Sequence, residues 1–194
     1  MKQFVRSVCV AALCLSPFAA FGQEPFELGA YGPAQAAADG LRDAAHTDGA
    51  FIAAGLLKTS AQKDNLAALF EFSSDEIVVV KLTGTQLKEA FERSLSVYPM
   101  PNSSFLQISG FEVSFNGSAP IGQRVKSATA SGMPIDNSRS YTVAMPARLG
   151  RGGFGYFKIW DKADITQTLP GATVESALRG KPVVDTSPRW SSSL

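Results

Sequence analysis

Glu76-Ile77-Val78-Val79-Val80-Lys81-Leu82-Thr83-Gly84-Thr85-Gln86 is the stretch whose reading decides the fold. Its first seven residues form a β-branched run with no breaker, the composition of a strand. At Thr83 the pattern changes. Thr83 and Gln86 have the spacing of a capping box, in which the threonine hydroxyl and the glutamine side chain satisfy backbone N–H groups at a helix start. From there Leu87, Ala90, Phe91, Ser94, Leu95 and Tyr98 fall on one helical face, and Lys88, Glu89, Glu92 and Arg93 take the other. A strand therefore runs directly into an amphipathic helix that packs its apolar stripe on a sheet, and Pro99 and Pro101 end the unit.

Toward the N-terminus, Leu66, Leu69 and Phe70 recur at helical spacing behind Asp64, which predicts a short helix between Ser60 and Phe72. Phe51 to Ala54 reads as a buried strand. Residues 33–47 read as a helix, with Pro33 at a first helical position and Thr47-Asp48-Gly49 as the stop. Downstream, Phe111, Val113 and Phe115 alternate with Glu112 and Ser114 as in a half-buried strand. Arg124 to Ala130 and Tyr141 to Ala147 supply two more, with turns at Ser131-Gly132 and Asp136-Asn137. Gly150 to Tyr156 is too glycine-rich for a regular element, and Ala172 to Leu178 suits a short final helix. With helices mostly early and strands mostly late, the expected fold is α+β, a mixed β-sheet with packed helices.

Lys2 and Arg6 precede an apolar run from Val8 to Leu15, and Ala20-Phe21-Gly22 follows with small residues where a signal peptidase inspects them. The run is far shorter than the roughly 20 residues of a spanning helix. The reading is a cleavable signal peptide over residues 1–22, a domain over 23–184, a loosely ordered tail over 185–194, and a periplasmic or secreted location with no membrane contact after cleavage. Both cysteines, Cys9 and Cys14, fall in the leader, and Leu13 before Cys14 disfavours lipid attachment. Removal of Lys2 and Arg6 leaves 16 basic against 17 acidic residues. Such a balance offers no basic stripe for nucleic acid.

Metal-activated hydrolysis needs several imidazole and carboxylate ligands, and this chain has one histidine. His46, near the end of the first helix, is better explained by that helix's negative end. No serine sits in a nucleophile elbow, and the Gly150 to Gly155 segment lacks the Gly-Lys-Ser ending of a phosphate loop. No catalytic residue, metal site or cofactor is expected. What remains suits a flat ring: Phe105 and Phe111 flank Gln107-Ile108-Ser109-Gly110, and Tyr156 follows glycines that allow close backbone approach. Filling of the core explains Phe111.

The order of these segments resembles the C-terminal domain of the 5′-nucleotidase family. Leu28-Gly29 with Ala38-Asp39-Gly40-Leu41-Arg42 is similar to its opening segment, and Asp48 to Gly55 occupies the place of its "Asp-Ile-Ala…Asn-Gly-Gly-Ile-Arg" strand. Val78 to Leu87 resembles its strand, "Thr-Gly" turn and helix. Phe105-Leu106-Gln107-Ile108-Ser109-Gly110 is similar to its "Phe-Leu-Gln…Gly" segment, and Gly152-Gly153-Phe154-Gly155-Tyr156 to its "Gly-Gly-Asp-Gly-Phe". The resemblance implies a nucleoside or nucleotide ligand whose base stacks between Phe105 and Tyr156, with Gly152, Gly153 and Gly155 close by. Lys58 stands for an arginine on the anion-holding side. Departures gather on that side: Ala53-Ala54-Gly55 replaces "Asn-Gly-Gly", Phe154 the aspartate, and Glu71-Phe72 "Pro-Phe". The family's metallophosphatase domain is expected to be missing, so the chain alone is not expected to hydrolyse, and a separate metallophosphatase is the implied protein partner. The alternatives are an interaction protein that has kept the fold without the ligand and, third, an autonomous hydrolase.

Overall fold

A computed structural model describes residues 25–58, 65–182, 184 and 186–193. The signal peptide read over residues 1–22 lies outside them, as does Asp64. In chain order the elements are α1 (Gly32–Ala45), β1 (Gly49–Ala53), β2 (Glu76–Thr83), α2 (Gly84–Ser94), β3 (Leu106–Ser109), β4 (Phe111–Phe115), β5 (Val125–Ala130), β6 (Met133–Pro134), β7 (Ser140–Pro146), α3 (Ala147–Gly150), β8 (Ile165–Thr173), α4 (Val174–Leu178) and β9 (Trp190–Ser192). They build a five-stranded sheet in the order β3-β1-β7-β2-β8 and a four-stranded sheet in the order β6-β5-β4-β9. Both are mixed, each through one parallel pair, β1 with β7 and β4 with β9. The class is α+β. Among the described residues no helix is long and apolar enough to cross a membrane.

The β2–α2 unit forms as its residues dictate. Thr83 Oγ1 accepts from Gln86 N at 3.2 Å and Gln86 Oε1 accepts from Thr83 N at 2.9 Å, closing the capping box. Leu87, Ala90 and Phe91 are fully buried. Phe91 meets Phe51 of β1, Phe111 of β4 and Trp190 of β9 at centroid separations of 5.9, 6.0 and 5.7 Å. One aromatic cluster thus joins α2 to both sheets, and Phe111 is core, as read.

Two expectations need correction. The segment before β2 is a 3-10 helix over Leu66–Leu69, capped by Asn65, because one short turn has too few residues to nucleate an α-helix. Within the tail, Arg189 and Trp190 are held in place. Trp190 is 5% exposed and its indole donates to Leu106 O at 2.9 Å. Arg189 reaches Asp39 Oδ2 and Ile108 O, both at 2.7 Å. A buried indole and an ion pair hold a segment whose composition carries no periodic signal.

Candidate functional site

The pairing rules of the main sheet bring the family-like segments together. β1 and β7 are parallel, so both end at the same edge; β2 and β3 are antiparallel to them and begin there. That edge collects Ala54-Gly55 after β1, Phe72 to Asp75 before β2, Ser103 to Phe105 before β3, and Ala147 to Tyr156 after β7. Gly55 N donates to Ser103 O at 2.8 Å and Ala54 N to Phe105 O at 2.8 Å. Ser104 Oγ donates to Phe154 O at 2.8 Å, and Arg93 Nη2 donates to the same carbonyl at 3.1 Å.

The two rings expected to clamp a base do not face an open slot. Phe105 is 1% exposed and packs on Trp190 at 4.9 Å. Tyr156 is fully buried and stacks on Trp160 at 4.5 Å with ring planes 15° apart. Its hydroxyl donates to Ser104 O at 2.7 Å and lies 3.1 Å from Ser94 Oγ. Burial pushes this phenol's pKa well above the usual tyrosine range, outweighing the opposing hydrogen bond from Ser94 and the nearby charge of Arg93. Both rings are buried in the interior and form no open sandwich between them.

The glycines likewise approach the protein's own atoms. A Cβ on Gly152 would lie 2.7 Å from the Phe157 Cα, one on Gly153 2.5 Å from Arg148 O, and one on Gly155 would strike the Arg93 guanidinium. Phe154, at φ 57°, puts its ring edge 2.5 Å from where a Gly55 Cβ would sit. The ring that replaces the family's aspartate therefore lies on Gly55 and fills the recess at the end of β1. Lys58 is exposed, its N–H bonded to Leu69 O at 2.9 Å.

What this edge does present is Phe72, 42% exposed, with the Arg148 guanidinium 3.9 Å over its centroid. Asp75 fixes the pair. Asp75 N donates to Phe72 O at 3.1 Å, closing a turn, and Asp75 Oδ2 accepts from Arg148 N at 3.0 Å with Arg148 Nε at 3.9 Å. Reading the sequence noted Glu71-Phe72 only as a departure and passed over Arg148; an aromatic within the polar run Glu71-Phe72-Ser73-Ser74-Asp75 was the available signal.

A cleft of about 670 Å³ lies elsewhere, between α2 and β5, and holds none of these residues. Two of its charged groups are engaged internally: Lys88 Nζ donates to Asn137 Oδ1 at 2.7 Å, and Glu92 accepts from Arg124 N at 3.1 Å and Val125 N at 2.7 Å. Among the described residues no three His, Cys, Asp or Glu side chains gather so as to hold a metal ion. His46 is the exposed left-handed cap of α1.

Comparison with known proteins agrees with this fold. The sequence profile of the 5′-nucleotidase C-terminal domain matches residues 27–161. The human 5′-nucleotidase is 34% identical over 107 residues, which cover 51% of this chain and 18% of that protein. A trifunctional nucleotide phosphoesterase of Bacillus subtilis is 32% identical over 115 residues, 57% of this chain and 8% of its own length. The crystal structure of a 5′-nucleotidase precursor from Thermus thermophilus superposes with a TM-score of 0.73 at 22% identity, covering 86% of this chain and 36% of that one. The chain thus spans under a fifth of the human protein, and the last of these likenesses speaks for fold alone. By the extent of the profile match, this chain belongs to the 5′-nucleotidase C-terminal domain family.

Proposed function

We propose that this domain recognises the base of a nucleoside or nucleotide at the loop-bearing edge of its main sheet, with Phe72 rather than Phe105 or Tyr156 as the aromatic member of the site. The observation that carries the reading is convergence. Four segments that resemble the family's substrate-binding half meet at one edge, and within them Phe72 keeps a solvent-facing ring. Lys58, exposed and next to the Leu57–Phe70 bridge, supplies a cation for the ligand's charged part. In this reading the chain is exported through residues 1–22, and phosphate release belongs to a separate metallophosphatase.

The test is a titration of the mature protein with adenosine and its monophosphate, followed by amide chemical shifts. Shifts confined to residues 72–75 and 147–155, with binding weakened roughly 5- to 100-fold by Phe72→Ala, are expected from the loss of one stacking surface. No shifts up to millimolar ligand would end the proposal. For the partner, affinity capture from periplasmic extract should retain a metallophosphatase, and its absence would remove that half of the reading.

A further inference from the structure

Phe72 does not offer its ring bare. The guanidinium carbon of Arg148 lies 3.9 Å above the centroid, which leaves no room for a further layer between. On this face a ligand ring must either expel Arg148 and take its place, or settle on the outer side of the guanidinium. The surroundings favour the second course.

Arg148 is anchored from below on three sides. Its backbone N–H is bound to Asp75 Oδ2 at 3.0 Å, its Nε approaches the same oxygen at 3.9 Å, and its carbonyl is packed against Gly153, where a Cβ would sit only 2.5 Å away. Asp75 itself is held by the turn to Phe72 and by Val174 N, which donates to Asp75 O at 2.9 Å. The Asp75 side chain is 13% exposed, whereas that of Arg148 is 53% exposed. The planar cation is therefore fixed on its ring side and open on its solvent side. Behind it Arg93 Nη2 and Ser104 Oγ both bond Phe154 O, and the Phe154 ring closes the recess at Gly55.

We propose that the outer face of the Arg148 guanidinium is the contact layer of the site, giving a stack of Phe72, Arg148 and ligand, and that it selects neutral or anionic electron-rich rings over cationic ones. The inference rests on the base-recognition reading above and names its ligand class. A guanidinium face attracts π density and negative charge and repels a second cation. Asp75 acts as a positioning residue, since it holds the backbone and Nε of Arg148 without facing the ligand. Lysine in place of Arg148 would keep the charge and lose the plane.

Two probe rings decide it: xanthine, which is anionic at mildly alkaline pH, and 1-methylnicotinamide, a permanent cation. They are titrated against the mature protein and against its Arg148→Ala, Arg148→Lys and Asp75→Asn variants at pH 8.5. Wild type should bind xanthine at least about tenfold more tightly than the cationic ring. Arg148→Ala should weaken xanthine about tenfold and erase the preference, Arg148→Lys should keep part of the preference without restoring the affinity, and Asp75→Asn should weaken both rings in parallel. Because Arg148 is half exposed, Arg148→Ala should also keep its thermal midpoint within about 2 °C of wild type, and Arg148→Lys gives a second, fold-preserving reading. Unchanged or tighter xanthine binding in Arg148→Ala would show the guanidinium to be an obstacle. That outcome overturns the inference and leaves base recognition at Phe72 standing, whereas absence of any ring binding to wild type overturns both.

Discussion

Tyr156→Phe separates a ring that serves the interior from a ring that serves a ligand. The substitution keeps the 4.5 Å stack on Trp160 and removes only the hydroxyl, whose bond to Ser104 O is 2.7 Å long and wholly buried. Loss of a buried hydrogen bond costs about 1 kcal/mol, and a carbonyl left without its donor adds about 1 kcal/mol or more. A net destabilisation of about 2 kcal/mol follows. For a domain of this size that lowers the thermal midpoint by about 4–8 °C, and with an m-value near 2 kcal/mol/M it moves the urea midpoint by about 1 M. The difference also depends on pH in a definite direction. Burial raises the phenol's pKa in the folded state, so below about pH 10 neither state ionises it and the wild-type advantage is complete. Above that pH the unfolded chain ionises Tyr156 while the folded one resists, and wild type loses up to about 1.4 kcal/mol per pH unit relative to the phenylalanine variant. Urea melts of both proteins at pH 7.5 and pH 11, beside an adenosine titration, measure all three quantities. An unchanged midpoint together with weakened adenosine binding would refute the placement of Tyr156 in the core.

Trp190→Ala should cost about 3–5 kcal/mol in the same melts, since it empties a site walled by Phe91, Phe105 and Phe115; a change under about 0.5 kcal/mol would mean that the tail is loose after all. Thr83→Ala should cost about 1 kcal/mol with an unchanged m-value, as the capping box at the start of α2 is broken. Gly155→Ala should cost about 2 kcal/mol or more, because φ is +80° there and the new methyl group meets the Arg93 guanidinium; its midpoint should recover in part when Arg93 is shortened to Ala alongside it.

Some of the fold was legible because its causes are local. In β2 and α2 the β-branched run, the cap and the helical stripe all agree, and each acts within four residues of its cause. β3 gives no such signal: its four residues are all buried, so nothing alternates, and Gly110 at φ +77° parts it from β4. β8 fails in the opposite way. Ile165–Thr173 is an edge strand, mostly exposed, with Pro170 and Gly171 inside it, and it exists because β2 offers it a backbone ladder with two register shifts. Trp190 lies among serines, prolines and arginine, and what orders it is 84 residues distant at Leu106.

The site was half legible for a related reason. Motif order placed the right segments, but it could not say which rings point outward, because exposure at a sheet edge is decided by what packs beneath. Tyr156 follows glycines that serve Arg93, Arg148 and Phe157, and its hydroxyl is claimed by Ser104, so the flexible approach they permit is inward. Phe105 immediately precedes β3, whose side chains are covered on both faces. Phe72 differs in its neighbours: Glu71, Ser73, Ser74 and Asp75 are polar, and no apolar periodicity gives its ring a core to enter. An aromatic alone in a polar turn has to find a partner of another kind, and in this protein it is the plane of a guanidinium held over it by the carboxylate of the same turn.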